Sequence, residues 1–260
     1  VDLLGGSGYL NVDSFDNFQF DLQNPDRLVG EGEKFRYNYN LYADVISATA
    51  QAFFKYSKVD FYLAGSYTNT QYQREGLYQH EAFADNSFGE GRKLKFNGLG
   101  AKAGLTYKVT GKHLIDVNAA YISRAPSLRN TYSNSRENHN IVSDITEEKM
   151  STVDASYIFR SPIVKARLTG YYSKIEDANE ISFYYADGVG GDNTAFVQEI
   201  LQGIDKRQIG AEIGIEAQVT PTILLKGVAS LGQFTYDNKP NLYLTSSDFE
   251  NGRVDFGVST

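Results

Sequence analysis

The sequence predicts an all-β fold, with antiparallel up-and-down strands forming a segment of a transmembrane β-barrel wall. Three observations predict it. Apolar and other residues alternate with period 2 through most of the chain, which puts each set on its own face of a sheet. Short turns alternate with long polar stretches, as periplasmic turns and extracellular loops do in outer-membrane barrels. Aromatic residues gather near strand ends, where barrels carry interfacial girdles. Composition agrees, since Tyr 19, Phe 16 and Gly 24 against Pro 5 favour strand over helix.

The first alternating run is Ile46, Ala48, Ala50, Ala52 and Phe54. The turn Lys55-Tyr56-Ser57-Lys58 leads to Val59, Phe61, Leu63, Gly65 and Tyr67. After the polar stretch 73–94, Leu99, Ala101, Ala103, Leu105 and Tyr107 oppose Gly98, Gly100, Lys102, Gly104 and Thr106. The turn Val109-Thr110-Gly111-Lys112 precedes Ile115, Val117, Ala119 and Tyr121, which oppose Asp116, Asn118 and Ala120. Beyond 125–149 come Val153–Tyr157 and the turn Arg160-Ser161-Pro162. Val164, Ala166, Leu168, Gly170 and Tyr172 then oppose Lys165, Arg167, Thr169 and Tyr171. After 176–206, Ile209, Ala211, Ile213, Ile215 and Ala217 oppose Gly210, Glu212, Gly214 and Glu216. Val219-Thr220-Pro221 turns into Ile223, Leu225, Gly227, Ala229 and Leu231, with Leu224 and Val228 on the other face. The stretch 235–252 follows, and Arg253–Thr260 reads as a strand cut short. The four turns recur about every 50 to 60 residues, the mark of a repeated unit. The four polar stretches and residues 1–34 are expected to be extracellular loops.

The apolar face is rich in Ala and Gly. Lipid conforms to such an outline, whereas a packed core needs large interlocking side chains. Phe54, Tyr56, Phe61, Tyr107, Tyr157 and Phe159 mark one expected girdle. Tyr67, Tyr72, Tyr121, Tyr172, Phe234 and Tyr236 mark the other. Several loops exceed about 20 residues, a length uncommon in compact soluble domains. A net charge of −7 argues against nucleic acid as a partner, because phosphate neutralisation needs a basic surface. Without Cys there is neither a disulfide framework nor a thiolate metal site. No apolar run reaches the roughly 18 residues of a membrane helix.

At Arg124-Ala125-Pro126-Ser127, where a strand enters a long loop, the sequence resembles TonB-dependent outer-membrane receptors. In that family an Asn-Pro-x-Leu-x-Pro-Glu-like stretch usually follows. Here Asn138–Lys149 stands in its place without either proline, ahead of Val153–Tyr157. Asn24-Pro25-Asp26-Arg27-Leu28-Val29-Gly30 and Tyr171–Asp177 are also similar to these receptors, especially those with a regulatory-like N-terminal extension. The resemblance implies a barrel of about 22 strands in the bacterial outer membrane, energised through TonB for nutrient uptake. This chain would supply about nine or ten strands of that one barrel domain. The implied partners are outer-membrane lipid, a plug domain of the same parent chain, TonB contacted through a missing N-terminal region, and a surface lipoprotein. The plug and the barrel C-terminus are expected to lie outside this sequence. The cargo stays open among glycan, peptide and metal chelate.

The polar face offers Lys102, Asp116, Arg124, Asp154, Arg167, Glu212 and Glu216, with Lys165 and Lys226, as a set facing the lumen and plug. Tyr132, Tyr184 and Tyr185 are candidate ligand contacts in the loops. His80, His113 and His139 are scattered and read as solvated surface residues. No metal-ligand spacing, nucleophile elbow or cofactor motif appears, so neither a catalytic residue nor a cofactor is expected. Asp187–Asn193 reads as a loop tip rather than a calcium loop. The rival readings are a soluble antiparallel β-rich binding or structural domain and an outer-membrane barrel enzyme.

Overall fold

The computed structural model describes residues 8–12, 19–189, 194–249 and 252–258. Its strands are β1 (Gly8–Leu10), β2 (Leu28–Gly30), β3 (Tyr39–Lys55), β4 (Val59–Gly76), β5 (Gly89–Glu90), β6 (Leu94–Lys108) and β7 (His113–Arg124). They continue as β8 (Glu148–Arg160), β9 (Val164–Asp187), β10 (Thr194–Thr220), β11 (Ile223–Tyr236), β12 (Asn241–Thr245) and β13 (Arg253–Val258). All pairings are antiparallel, and the main sheet runs β13-β12-β10-β9-β8-β7-β6-β4-β3, with β11 also on β10 and β5 on β4. β1 and β2 form a separate pair. The main sheet is a barrel-like wall, open at its sides. No helix among the described residues is long and apolar enough to cross a membrane, which says nothing against crossing by strands.

The four turns close as short hairpins. Tyr56 N–H donates to Val59 O at 2.9 Å, Thr110 N–H to His113 O at 3.1 Å and Ser161 N–H to Val164 O at 2.8 Å. Gln218↔Leu224 pairs across the last.

Register sorts the wall into two faces. Ile213 pairs with Leu168 and Ala229, and Leu168 with Tyr157. Further along, Leu105 pairs with Phe61 and Val117. These side chains share the outer face and lie open, with Leu168 51 % and Ile213 41 % exposed. A soluble sandwich would bury this set. The aromatic belt beside the turns is on this face. Phe54 stacks on Phe61 at 4.6 Å, and His113 lies 5.1 Å from Phe159. On β10 the band from Ile209 to Val219 spans roughly 25 Å of barrel height at the usual rise and tilt. Polar groups bound it above: Tyr67 Oη and Asn69 Nδ2 donate to Asn97 Oδ1 at 2.9 and 3.0 Å, and Lys149 pairs with Asp177 at 2.7 Å.

Four expectations need correction. Residues 176–206 are not a loop, because β9 and β10 run through them as a tall hairpin. The stretch hid from the sequence reading because Asp177 (φ 59°) and Gly203 (φ 68°) break the period at bulges. Residues 235–252 likewise contain β12, which pairs with the upper part of β10, and β4 carries the expected loop 73–94 as strand up to Gly76. Tyr72, Phe234 and Tyr236 leave the expected upper girdle. They pair with Leu94, Gln208 and Lys206 on the inner face, while Tyr67, Tyr121 and Tyr172 face outward.

Candidate functional site: the inner wall and its rim

The inner face carries a graded polar network. Asp116 accepts from Thr106 Oγ1 at 2.6 Å and Asn118 Nδ2 at 3.1 Å, and lies 3.7 Å from Arg167. Asn118 also donates to Asp154 at 3.1 Å, and Arg167 Nη2 donates to Ser156 Oγ at 3.0 Å. Nearer the turns, Glu216 sits between Lys165 at 2.9 Å and Lys226 at 3.3 Å. Arg124 pairs with Glu148 at 3.1 Å where β7 leaves the sheet. A hollow of about 760 Å³ gathers Asp154, Arg167, Thr169, Tyr171, Glu212 and Ser230. Lys102 and Glu212 have no ion-pair or hydrogen-bond partner among the described residues. Charge pairs at exposed positions add little to stability, so the network sets the polarity of this face more than it stabilises the sheet.

Above the network, the loop after β7 folds inward. Arg124-Ala125-Pro126-Ser127 starts this fold. Pro126 O accepts from Tyr72 Oη at 3.1 Å, and Ser127 Oγ accepts from Asn130 N–H at 3.2 Å, capping a single 3₁₀ turn, Leu128–Asn130. Ala125, Leu128, Ile141 and Ile145 pack on the buried cluster Tyr72, Leu94, Phe96 and Tyr132. Farther across, Val142 packs with Ile181, Ile200 and Tyr243. One loop thus ties β4 and β6 to β9, β10 and β12.

Arg74 pins this loop to the one before β6. Its guanidinium is buried and donates to Ser135 O at 2.8 Å and Ser87 O at 2.9 Å, and it meets His139 Nδ1 at 2.9 Å. Burial pulls Arg74 down to about 10, so it stays charged at neutral pH. His139 therefore accepts at Nδ1 as neutral imidazole, and burial together with Arg74 lowers its pKa. His80 is also not a surface residue. It is 3 % exposed, its Nδ1 accepts from Ala82 N–H at 3.2 Å, and burial lowers its pKa to about 4. His113 lies half-buried in the lower belt, 2.5 Å from Tyr157 Oη.

The three candidate tyrosines part company. Tyr132 is 3 % exposed and belongs to the loop core, so in this structure it presents no ring to a ligand. Tyr184 donates to Glu199 at 2.8 Å on the outer side of the hairpin, and burial with that hydrogen bond pushes it up to about 12. Tyr185 is 72 % exposed and packs on Phe196 at 5.1 Å, beside Phe183. It lines a rim cleft of about 510 Å³, within the range of ligand pockets. Four segments meet there: Arg36 and Tyr37 before β3, Asn134 to Glu137 after β7, the β9–β10 hairpin, and Ser247 with Asp248 after β12. Arg36 has φ 66°, a left-handed conformation that costs energy in a non-glycine residue. Sequence reasoning misses this cleft because its parts, from Arg36 to Asp248, are far apart in the chain and share no local motif. Among the described residues no group of three His, Cys, Asp or Glu is placed to hold a metal ion. Residues 190–193 of the Asp187–Asn193 tip lie outside the described residues.

No protein-family model and no curated protein matches the sequence. In structure the chain is similar to the copper transporter OprC, with TM-score 0.58 and 14 % identity over 87 % of this chain and 35 % of that one. The chain therefore spans about a third of that protein's length. At this identity the likeness shows a shared barrel-like antiparallel β fold and nothing further.

Proposed function

We propose that this chain is a wall segment of an outer-membrane transport barrel, of the TonB-dependent receptor kind. Residues 1–260 belong to one barrel domain on this reading. One observation carries it: the apolar face, which a soluble protein would bury as its core, lies open, while the charged side chains share the opposite face. Water and a plug domain of the parent chain would occupy the inside, with Lys102 and Glu212 available to the plug. TonB would act through the plug region, lipid would cover the outer band, and the rim would capture solute. A surface lipoprotein would dock at the rim if the receptor uses one.

The test uses the full-length protein in planar lipid bilayers. The intact receptor should conduct little. Deleting the plug-encoding region should open a large, steady conductance through the wetted wall. A full-length protein that stays monomeric in buffer without detergent, or a plug-deleted one that never conducts, would overturn the reading.

A further inference from the structure

The rim cleft contains one cation whose position folding alone does not explain. Arg136 is exposed, yet its guanidinium is held between two rings, 5.4 Å from the centre of Tyr37 and 5.6 Å from that of Phe183. Among the described residues no carboxylate or carbonyl accepts from it. The two rings accept none of its N–H groups as conventional hydrogen-bond acceptors, so its N–H edge stays available to a flat, bidentate acceptor. The nearby acids are already engaged. Asp248 accepts from Phe196 N–H at 3.1 Å and Ser246 Oγ at 3.2 Å. Glu137 accepts from Asn134 Nδ2 at 2.8 Å, and burial raises its pKa although Arg36 opposes the rise. Beside this edge Tyr185 and Phe196 present an open aromatic wall.

We propose that the rim cleft binds a flat solute bearing a carboxylate, the carboxylate on the Arg136 edge and the body on Tyr185 and Phe196. Rings suit such a body because stacking orders few rotors. The inference deepens the capture role given to the rim and rests on it, but binding can be measured apart from transport.

The experiment is equilibrium dialysis of the full-length protein in detergent. The probes are 2-naphthoate, uncharged 2-naphthamide and cationic 2-naphthylmethylammonium. Naphthoate should saturate, and the amide should bind at least about tenfold more weakly, as expected when a charged hydrogen bond is lost. Arg136→Gln should weaken naphthoate to the level of the amide, and Tyr185→Ala should weaken both probes. Arg129→Gln, on the same loop but outside the cleft, should change nothing. Arg136 is exposed, so its variant should fold, and an unchanged far-ultraviolet spectrum checks this. Equal binding of the three probes, no saturation by naphthoate in the millimolar range, or full binding by a folded Arg136→Gln protein overturns the site. Arg136-dependent binding in a protein that fails the bilayer test supports the site and removes only the transport role.

Discussion

At the scale of single residues, the rim holds ionisable groups whose burial gives the loops opposing pH responses. His80 packs between Phe20 and Phe83 at 5.4 and 5.6 Å, with Arg36 and Glu81 as its charged neighbours. Its folded pKa of about 4 lies below the ordinary 6.5. The unfolded loop therefore binds a proton more readily, and the stability due to neutral His80 is complete above pH 6.5 and is lost as pH falls towards 4. The shift corresponds to about 3 kcal/mol. Glu137 has the opposite sign, since its raised pKa favours the neutral form and its contribution is lost as pH rises. Hydrogen exchange at residues 77–88, corrected for intrinsic rates, should show opening between pH 6.5 and 4. His80→Phe keeps the ring contacts and removes the titration, so it should flatten that response. Equal acid sensitivity in both proteins would refute the assignment. None of this was legible in the sequence, where a lone His in a polar stretch looks like any solvated one.

At the scale of elements, the strands of the open wall were legible because two faces of unlike polarity keep strict period 2. Ile209 to Ala217 alternates in the sequence as it does in the structure. The hairpin above it was not legible because it no longer obeys that rule. Ala195 and Val197 are buried on one face, against Leu244 and Phe249, and Ile200 is buried on the other. Two dry faces erase the polar half of the alternation, and the bulges shift what remains. For the glycines opposite the apolar face, the alternation gives only their side of the sheet. At Gly104 the requirement is narrower, since a Cβ there would lie 2.2 Å from the Tyr62 ring and 2.4 Å from Asn118 Oδ1. The Tyr62 ring lies across the glycine and covers its bare backbone. Gly104→Ala should therefore destabilise the refolded barrel by about 1–3 kcal/mol in reversible denaturant titration. Tyr62→Ala should restore part of that loss in the double variant, beyond the sum of the single effects. Strict additivity would show that the ring and the glycine are uncoupled.

At the scale of the whole molecule, everything depends on which face meets lipid, and β10 offers adjacent residues that separate the outcomes. Ile213 lies outward between Leu168 and Ala229, and Glu212 lies inward between Thr169 and Ser230. Depth and backbone are nearly matched, so a difference between them reports the face alone. Ile213→Arg places a charge in hydrocarbon and should cost about 2–4 kcal/mol near the midplane, less towards either interface. Glu212→Arg should cost much less, unless the plug supplies a cation opposite Glu212. Reversible denaturant titration of the full-length protein in lipid vesicles compares the two directly. These 260 residues contain no Cys, so single cysteines placed among them give a second measurement, any Cys elsewhere in the parent being replaced first. In a plug-deleted barrel, position 212 should react with a water-soluble thiol reagent and position 213 should not. Protection at 213 alone does not separate lipid from protein packing, since a sandwich core is equally dry. A fluorophore at 213 is therefore challenged with a quencher dissolved in the acyl chains. Quenching at 213 without quenching at 212 requires hydrocarbon against the outer face, because only lipid carries the quencher there. Equal quenching at the two sites, or none at either, is incompatible with a lipid-facing wall and would return the chain to the soluble β-domain reading.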